Sequence, residues 1–107
     1  MTDPERVEKM LQCVEKVLSY CAGQTYDTFA ANSMLVEACV FNISQIGEIC
    51  HCVSDAFMEA HPEIPWFEMY GLRNRIVHNY DGVKLHLVWD IIAGDLEILQ
   101  KDLQKIL

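Results

Sequence analysis

Apolar residues recur every three or four positions along nearly the whole chain, which is the spacing that gathers side chains on one face of an α-helix. The first such stripe is Val7, Met10, Leu11, Val14, Leu18 and Cys21. Thr2 or Asp3 can cap this helix, Pro4 suits its first turn, and Gly23 marks its end. The segment "GQTYDTFAANS" reads as a connection in which Asp27 or Thr28 can already cap a second helix. A longer stripe follows, through Val36, Cys39, Val40, Ile43, Ile46, Cys50, Val53 and Phe57. Leu35, Ala38, Phe41 and Ile49 widen it beyond one face, so this long helix is expected to pack against two neighbours, one of them a candidate second copy of the chain. Pro62 and Pro65 in "HPEIPW" stop it. A shorter helix holds Met69, Leu72 and Ile76 and closes at the turn signal "NYDG". The last stripe is Leu85, Val88, Trp89, Ile92, Leu96, Leu99, Leu103 and Ile106. No stretch alternates apolar and polar residues between hairpin turns. The pattern predicts one all-α domain over residues 1–107, an up-and-down bundle of four or five helices.

Composition narrows this picture. With 51% apolar and 22% charged residues the chain is globular rather than disordered, and no apolar run reaches the length that spans a bilayer. The start "MTDPERVEKM" lacks the apolar run of a secretory signal, so a cytoplasmic protein is expected. Cys13, Cys21, Cys39, Cys50 and Cys52 lie within helical apolar patterns and are odd in number, which favours reduced thiols acting as small buried hydrophobes. The "CHC" at 50–52 lacks the usual spacing of metal-ligand pairs and no second pair follows, so no metal and no cofactor are expected.

The net charge of −8 argues against a general nucleic-acid coat, and no DNA partner is expected. The placement of positive charge is more informative. Between Lys16 and Arg73 there is no Lys or Arg, whereas Glu37, Glu48, Asp55, Glu59, Glu63 and Glu68 are negative. Arg73 and Arg75, in "LRNRIVHNYDG", therefore suit a local task such as gripping one phosphate or carboxylate.

On a helical wheel Leu72 and Ile76 face the core, while Asn74 and His78 lie one above the other on the far side. Asn74 can thus orient the His78 imidazole. Arg73 and His78 are about 140° apart on one helix, an awkward angle for two groups acting on one atom. They can converge at a helix end, or a second protomer can complete the site across a two-fold axis. Histidine exchanges protons near neutral pH and arginine stabilises charge on a phosphoryl group, a pair suited to cleaving RNA through its own 2′-hydroxyl without metal. The bland alternatives are a surface salt bridge or carbonyl cap for Arg73 and a packing role for Tyr80.

At these residues the chain resembles the HEPN superfamily, and more closely the HepT-like ribonuclease toxins. "RNRIVHNY" fits the family's Arg-x-x-x-x-His-x-Tyr pattern at Arg73, His78 and Tyr80, with polar Asn74 after the arginine. "IGEIC" (46–50), "IPWFEMYGLRN" (64–74) and "YDGVKLHLVWDII" (80–92) are similar to its framing segments, in the same order. The resemblance implies a helical homodimer with the two motifs in an interface cleft. It also implies a metal-independent endoribonuclease of a toxin–antitoxin pair, with Arg73, His78 and Asn74 catalytic. The partner would be a minimal nucleotidyltransferase that adenylylates Tyr80, and the added phosphates would block the cleft. Arg75 would add an RNA phosphate contact, or equally a salt bridge to Glu68 or Asp81. The alternative is a non-catalytic helical dimer serving as partner or substrate-recognition subunit of such a nucleotidyltransferase.

Overall fold

The computed structural model describes residues 1–79 and 84–107 and, in the helix that ends at Asn79, the side chains as far as Ile76. Every regular element among the described residues is helical. α1 (Asp3–Tyr20) begins where the Thr2 hydroxyl accepts the Glu5 N–H at 3.2 Å, with Pro4 in its first turn. It ends just before Gly23, whose φ of 77° is the left-handed conformation that glycine adopts without penalty. Its inward stripe is Val7, Met10, Val14 and Val17, all fully buried.

The connection after Gly23 contains a short helix, α2 (Tyr26–Ala30), started by a reciprocal Thr25–Thr28 capping box. Phe29 anchors it, tilted against Trp89 with ring centroids 5.1 Å apart. Asn32 then caps α3 (Ser33–Cys50), its side chain accepting the Leu35 N–H at 3.1 Å. α3 lies along α1 and buries Val36, Cys39, Ile43, Ile46 and Cys50 in the shared core.

Here the structure departs from the expected long helix. α3 stops at Cys50, and a separate helix, α4 (Asp55–Ala60), begins five residues later, so Val53 and Phe57 leave the α3 stripe. The cause is a contact between residues 51 apart. Asp3 of α1 accepts the Ser54 N–H at 3.1 Å and the Ser54 hydroxyl at 2.7 Å, while the Ser54 oxygen accepts the Phe57 N–H at 3.2 Å. Ser54 is thus pinned as the cap of a new helix.

The expected short helix is also divided. α5 (Trp66–Tyr70) and α6 (Leu72–Asn79) meet at Gly71, yet the Gly71 N–H reaches the Phe67 carbonyl and the Arg75 N–H reaches the Gly71 carbonyl, both at 3.1 Å. The two bonds meet at Gly71, whose φ of −81° and ψ of −7° stay in the right-handed helical region. Met69, Leu72 and Ile76 are buried as the spacing predicted.

The C-terminal stripe forms α7 (Leu85–Asp90), a π turn (Ile91–Asp95) and α8 (Leu96–Lys105) in direct succession. The Leu96 N–H bonds the Ile91 carbonyl five residues back, and Gly94, a poor helix former, sits in the widened turn. Ile91 and Ile92 are both buried, flanking Val88 on the inward face. α8 packs back on α1. The longer elements α1, α3, α6 and α7–α8 form the expected all-α bundle, with short helices added in its connections.

The cysteines divide as well. Cys21, Cys39 and Cys50 are buried and unbonded, with the Cys21 and Cys39 sulfurs 3.5 Å apart. Burial pushes the Cys50 thiol up to about 11 and raises Cys13, Cys21 and Cys39. Cys52 is exposed, contrary to its reading as a buried hydrophobe, because it falls in the turn that ends α3.

The Asp3–Ser54 contact carries a pH signature. Hydrogen bonds from the Ser54 side chain and backbone, and then Arg6, hold the Asp3 carboxyl below its ordinary value. The folded state therefore gains stability from this group above the unfolded aspartate pKa and loses it as pH falls through the lower folded value. In urea titrations, Asp3→Ala should unfold at lower denaturant than wild type at neutral pH, with the gap closing as the medium is acidified below the ordinary aspartate range. A gap independent of pH would contradict the assignment.

Candidate functional site

The motif arginine is set by two consecutive residues of α3. A Cβ built on Gly47 would lie 2.9 Å from the Arg73 backbone nitrogen, 3.2 Å from the Arg73 Cβ and 3.3 Å from the Met69 carbonyl oxygen. Only a residue without a side chain lets the start of α6 approach α3 this closely. Glu48, next in sequence, then reaches Arg73 and forms an ion pair with it, Oε1 lying against the Nε edge of the guanidinium. The pair is open to solvent, with the side chains 55% and 45% exposed, so it adds only about 0–1 kcal/mol to stability. Its stronger effect is geometric. A guanidinium carries five N–H donors in a rigid fork, and a carboxylate held against the Nε edge restricts where the terminal nitrogens point. Among the described residues no acceptor takes those terminal nitrogens.

One turn beyond Gly47 and Glu48 on the α3 side, and one turn before Arg73 on the other, the His51 and Tyr70 rings stack, centroids 3.5 Å apart and planes 17° from parallel. His51 caps the C-terminus of α3 and Tyr70 ends α5. The "CHC" residues thus diverge: the Cys50 thiol points inward to the Trp66 carbonyl at 3.7 Å, His51 lies on Tyr70, and Cys52 faces solvent. Among the described residues no group of three or more His, Cys, Asp or Glu side chains converges as a metal site.

Asn74 is exposed on the outer face of α6, as its spacing predicted. The His78 side chain and the whole of Tyr80 lie outside the described residues, as does Asp81, one candidate partner of Arg75. Arg75 is not beside Arg73. It lines a groove of about 300 Å³ on the opposite flank of α6, floored by Met69, Leu72 and Leu96 and edged by Glu68 and Asp95. Among the described residues the ion pairs involve Arg6, His61 and Arg73, and Arg75 forms none with Glu68.

The roles of Gly47 and Glu48 do not show in a wheel or a charge count. The available signal was a glycine in mid-helix, which costs helix stability and usually marks a close approach, within the framing segment "IGEIC".

The family model for HepT-like ribonucleases matches residues 10–106, and the chain belongs to that family. It is 30% identical over 101 residues to a protein of Caldanaerobacter subterraneus subsp. tengcongensis designated a candidate RNase, covering 94% of this chain and 90% of that one. It is 30% identical over 95 residues to a candidate RNase of Methanocaldococcus jannaschii, covering 89% of this chain and 87% of the relative. It is also 25% identical over 100 residues to a candidate ribonuclease HepT of Thermococcus cleftensis, covering 94% and 91%. No solved structure matches the chain.

The Gly47 contact sets a measurable balance. In an open helix Gly→Ala adds up to about 1 kcal/mol of stability. Here the new methyl meets a backbone nitrogen, and overpacking of this kind costs about 1–3 kcal/mol. Gly47→Ala should therefore lower the urea midpoint. An unchanged or raised midpoint would show that α6 does not approach α3 as described.

Proposed function

We propose that the protein is a metal-independent endoribonuclease toxin whose site is built from Arg73, Asn74 and His78. The observation that carries this reading is that the HepT-like match spans the whole Arg73–His78–Tyr80 motif, while the arginine at its head is exposed and oriented by Glu48. In the reaction the RNA 2′-hydroxyl attacks the neighbouring phosphorus. A new 2′-oxygen–phosphorus bond forms and the bond to the 5′-oxygen breaks. The proton leaving the 2′-oxygen goes to an imidazole, and a proton is delivered to the departing 5′-oxygen. His78 supplies both transfers, from one chain or from the two chains of a dimer. The terminal nitrogens of Arg73 hold the phosphate oxygens and stabilise the extra charge of the transition state. Asn74, one turn before His78, orients the imidazole. Arg75, on the other flank of α6, takes a phosphate further along the strand.

A homodimer accounts for the angle between Arg73 and His78 on one helix. Its support is a solvent-facing stripe on α3, Met34 (80% exposed) and Phe41 (61%) with half-buried Ala38 between them, which runs toward Glu48 and Arg73. The partner in the cell is a minimal nucleotidyltransferase that neutralises the toxin by adenylylating Tyr80. The added phosphates would compete for the Arg73 fork and crowd the cleft. Among the described residues no helix is long and apolar enough to cross a membrane, which fits cytoplasmic action on RNA.

Purified protein should cleave RNA in the presence of EDTA, and His78→Ala, folded by circular dichroism, should lose about 10²–10⁴-fold in rate. Intact mass after co-expression with the cognate nucleotidyltransferase should show added AMP units that disappear in Tyr80→Phe. Undiminished cleavage by His78→Ala would overturn the catalytic assignment. A stable complex with the nucleotidyltransferase but no cleavage would favour the substrate-recognition subunit instead.

A further inference from the structure

Acidity sets a problem for any RNA-binding surface on this chain. Non-specific affinity normally comes from many phosphate contacts, yet the net charge is −8 and the arginines beyond Arg6 are Arg73 and Arg75. Glu48 already offsets one of them. Each remaining exposed ionic contact is weak, too little to hold a substrate in place. Another source of binding energy is needed, and the helices around Arg73 present one.

Phe67 is the most exposed large apolar side chain among the described residues, at 86%, on a five-residue helix whose buried side chain is Met69. Nothing in the fold accounts for a phenylalanine there. Because Gly71 keeps a right-handed helical backbone, positions 67 and 74, seven residues apart, fall near one helical line, about 20° from each other. Phe67 therefore stands on the same outward ridge as Asn74. Tyr70, 48% exposed, lies on the Arg73 side of that ridge, already stacked on His51. Arg73 occupies one flank and Arg75 the other.

We propose that Phe67 and the stacked His51–Tyr70 pair form a platform for unpaired RNA bases next to the phosphate held by Arg73. The platform rests on the ribonuclease reading above and names the form of RNA the site takes. Stacking of a base on an aromatic ring contributes more than an exposed ion pair, and it is indifferent to net charge. The His51 ring holds Tyr70 from behind, so little side-chain freedom is lost on binding. Duplex RNA hides its base faces in the helix stack and cannot use the platform, whereas loops and single strands can. The cations on either flank distinguish this patch from the Met34–Phe41 stripe, which has no Lys or Arg on its helix. Aromatic rings between arginines match a polyanion with flat faces better than they match the surface of a second acidic chain.

The test uses the full chain and 2′-O-methyl RNA, which cannot be cleaved through its own 2′-oxygen. Fluorescence anisotropy with a short labelled single strand of mixed sequence should show tighter binding than with the corresponding blunt duplex. Phe67→Leu, which keeps apolar bulk without a π face, should weaken single-strand binding about tenfold, and Phe67→Trp should restore it. A single strand made of abasic residues should bind wild type and Phe67→Leu alike. With cleavable RNA, Phe67→Leu should raise KM by a larger factor than it lowers kcat. Wild-type affinity in Phe67→Leu would overturn the platform, as would a loss accompanied by a shift of the chain from dimer to monomer in light scattering. If Phe67-dependent binding holds and no RNA is cleaved, the ribonuclease reading fails and the platform stands. If RNA is cleaved with KM unmoved by Phe67→Leu, the reverse is true.

Discussion

The crossing of α3 and α6 at Gly47 is the constraint on which the candidate site depends. Without a side chain at that position the two backbones approach until Arg73 lies beside the next residue of α3, and Glu48 then fixes the guanidinium. Two adjacent residues thus do separate work, one steric and one electrostatic. The ion pair is too exposed to matter much for folding, so its value lies in orientation. The buried stripe of α3, beside Gly47 on the same helix, locks the crossing in place through the core it shares with α1 and α6.

The same crossing explains how an acidic chain can present one usable cation. Isolated on a flexible stem, Arg73 would sample many directions in a negative field. Held at Nε, it offers a preorganised fork to one phosphate, which suits a charge that develops at one place during a reaction. Such a site is built for selective contact with few phosphates rather than for coating a nucleic acid. Exposed aromatic rings beside it supply attraction that does not depend on net charge.

Much of this was legible from residue spacing. The core stripes of α1, α3 and α8, the buried Leu72 and Ile76, and outward Asn74 follow directly from helical periodicity, because burial on one face is what that pattern encodes. The break after Cys50 was not legible, since the apolar pattern continues to Phe57 and the break is imposed by Asp3 from the far end of α1. Gly94 hinted at the irregular turn within the last helix, but an added residue in one turn is invisible to a regular period. Arg73 and Arg75 read as one cluster in sequence and diverge in space, as residues two apart on a helix must. Glu48 was read only as background negative charge; its partnership with Arg73 requires knowing which helices cross.

The central claim is that one guanidinium serves two partners, Glu48 through Nε and a phosphate through its terminal nitrogens. The most direct measurement is kcat/KM for RNA cleavage by Arg73→Lys beside Arg73→Ala. Lysine keeps the charge but has no fork, so it cannot hold the carboxylate and present a second edge at a fixed angle. Arg73→Lys should fall nearly as far as Arg73→Ala. Retention of most wild-type activity by the lysine variant would contradict it, because charge alone would then suffice.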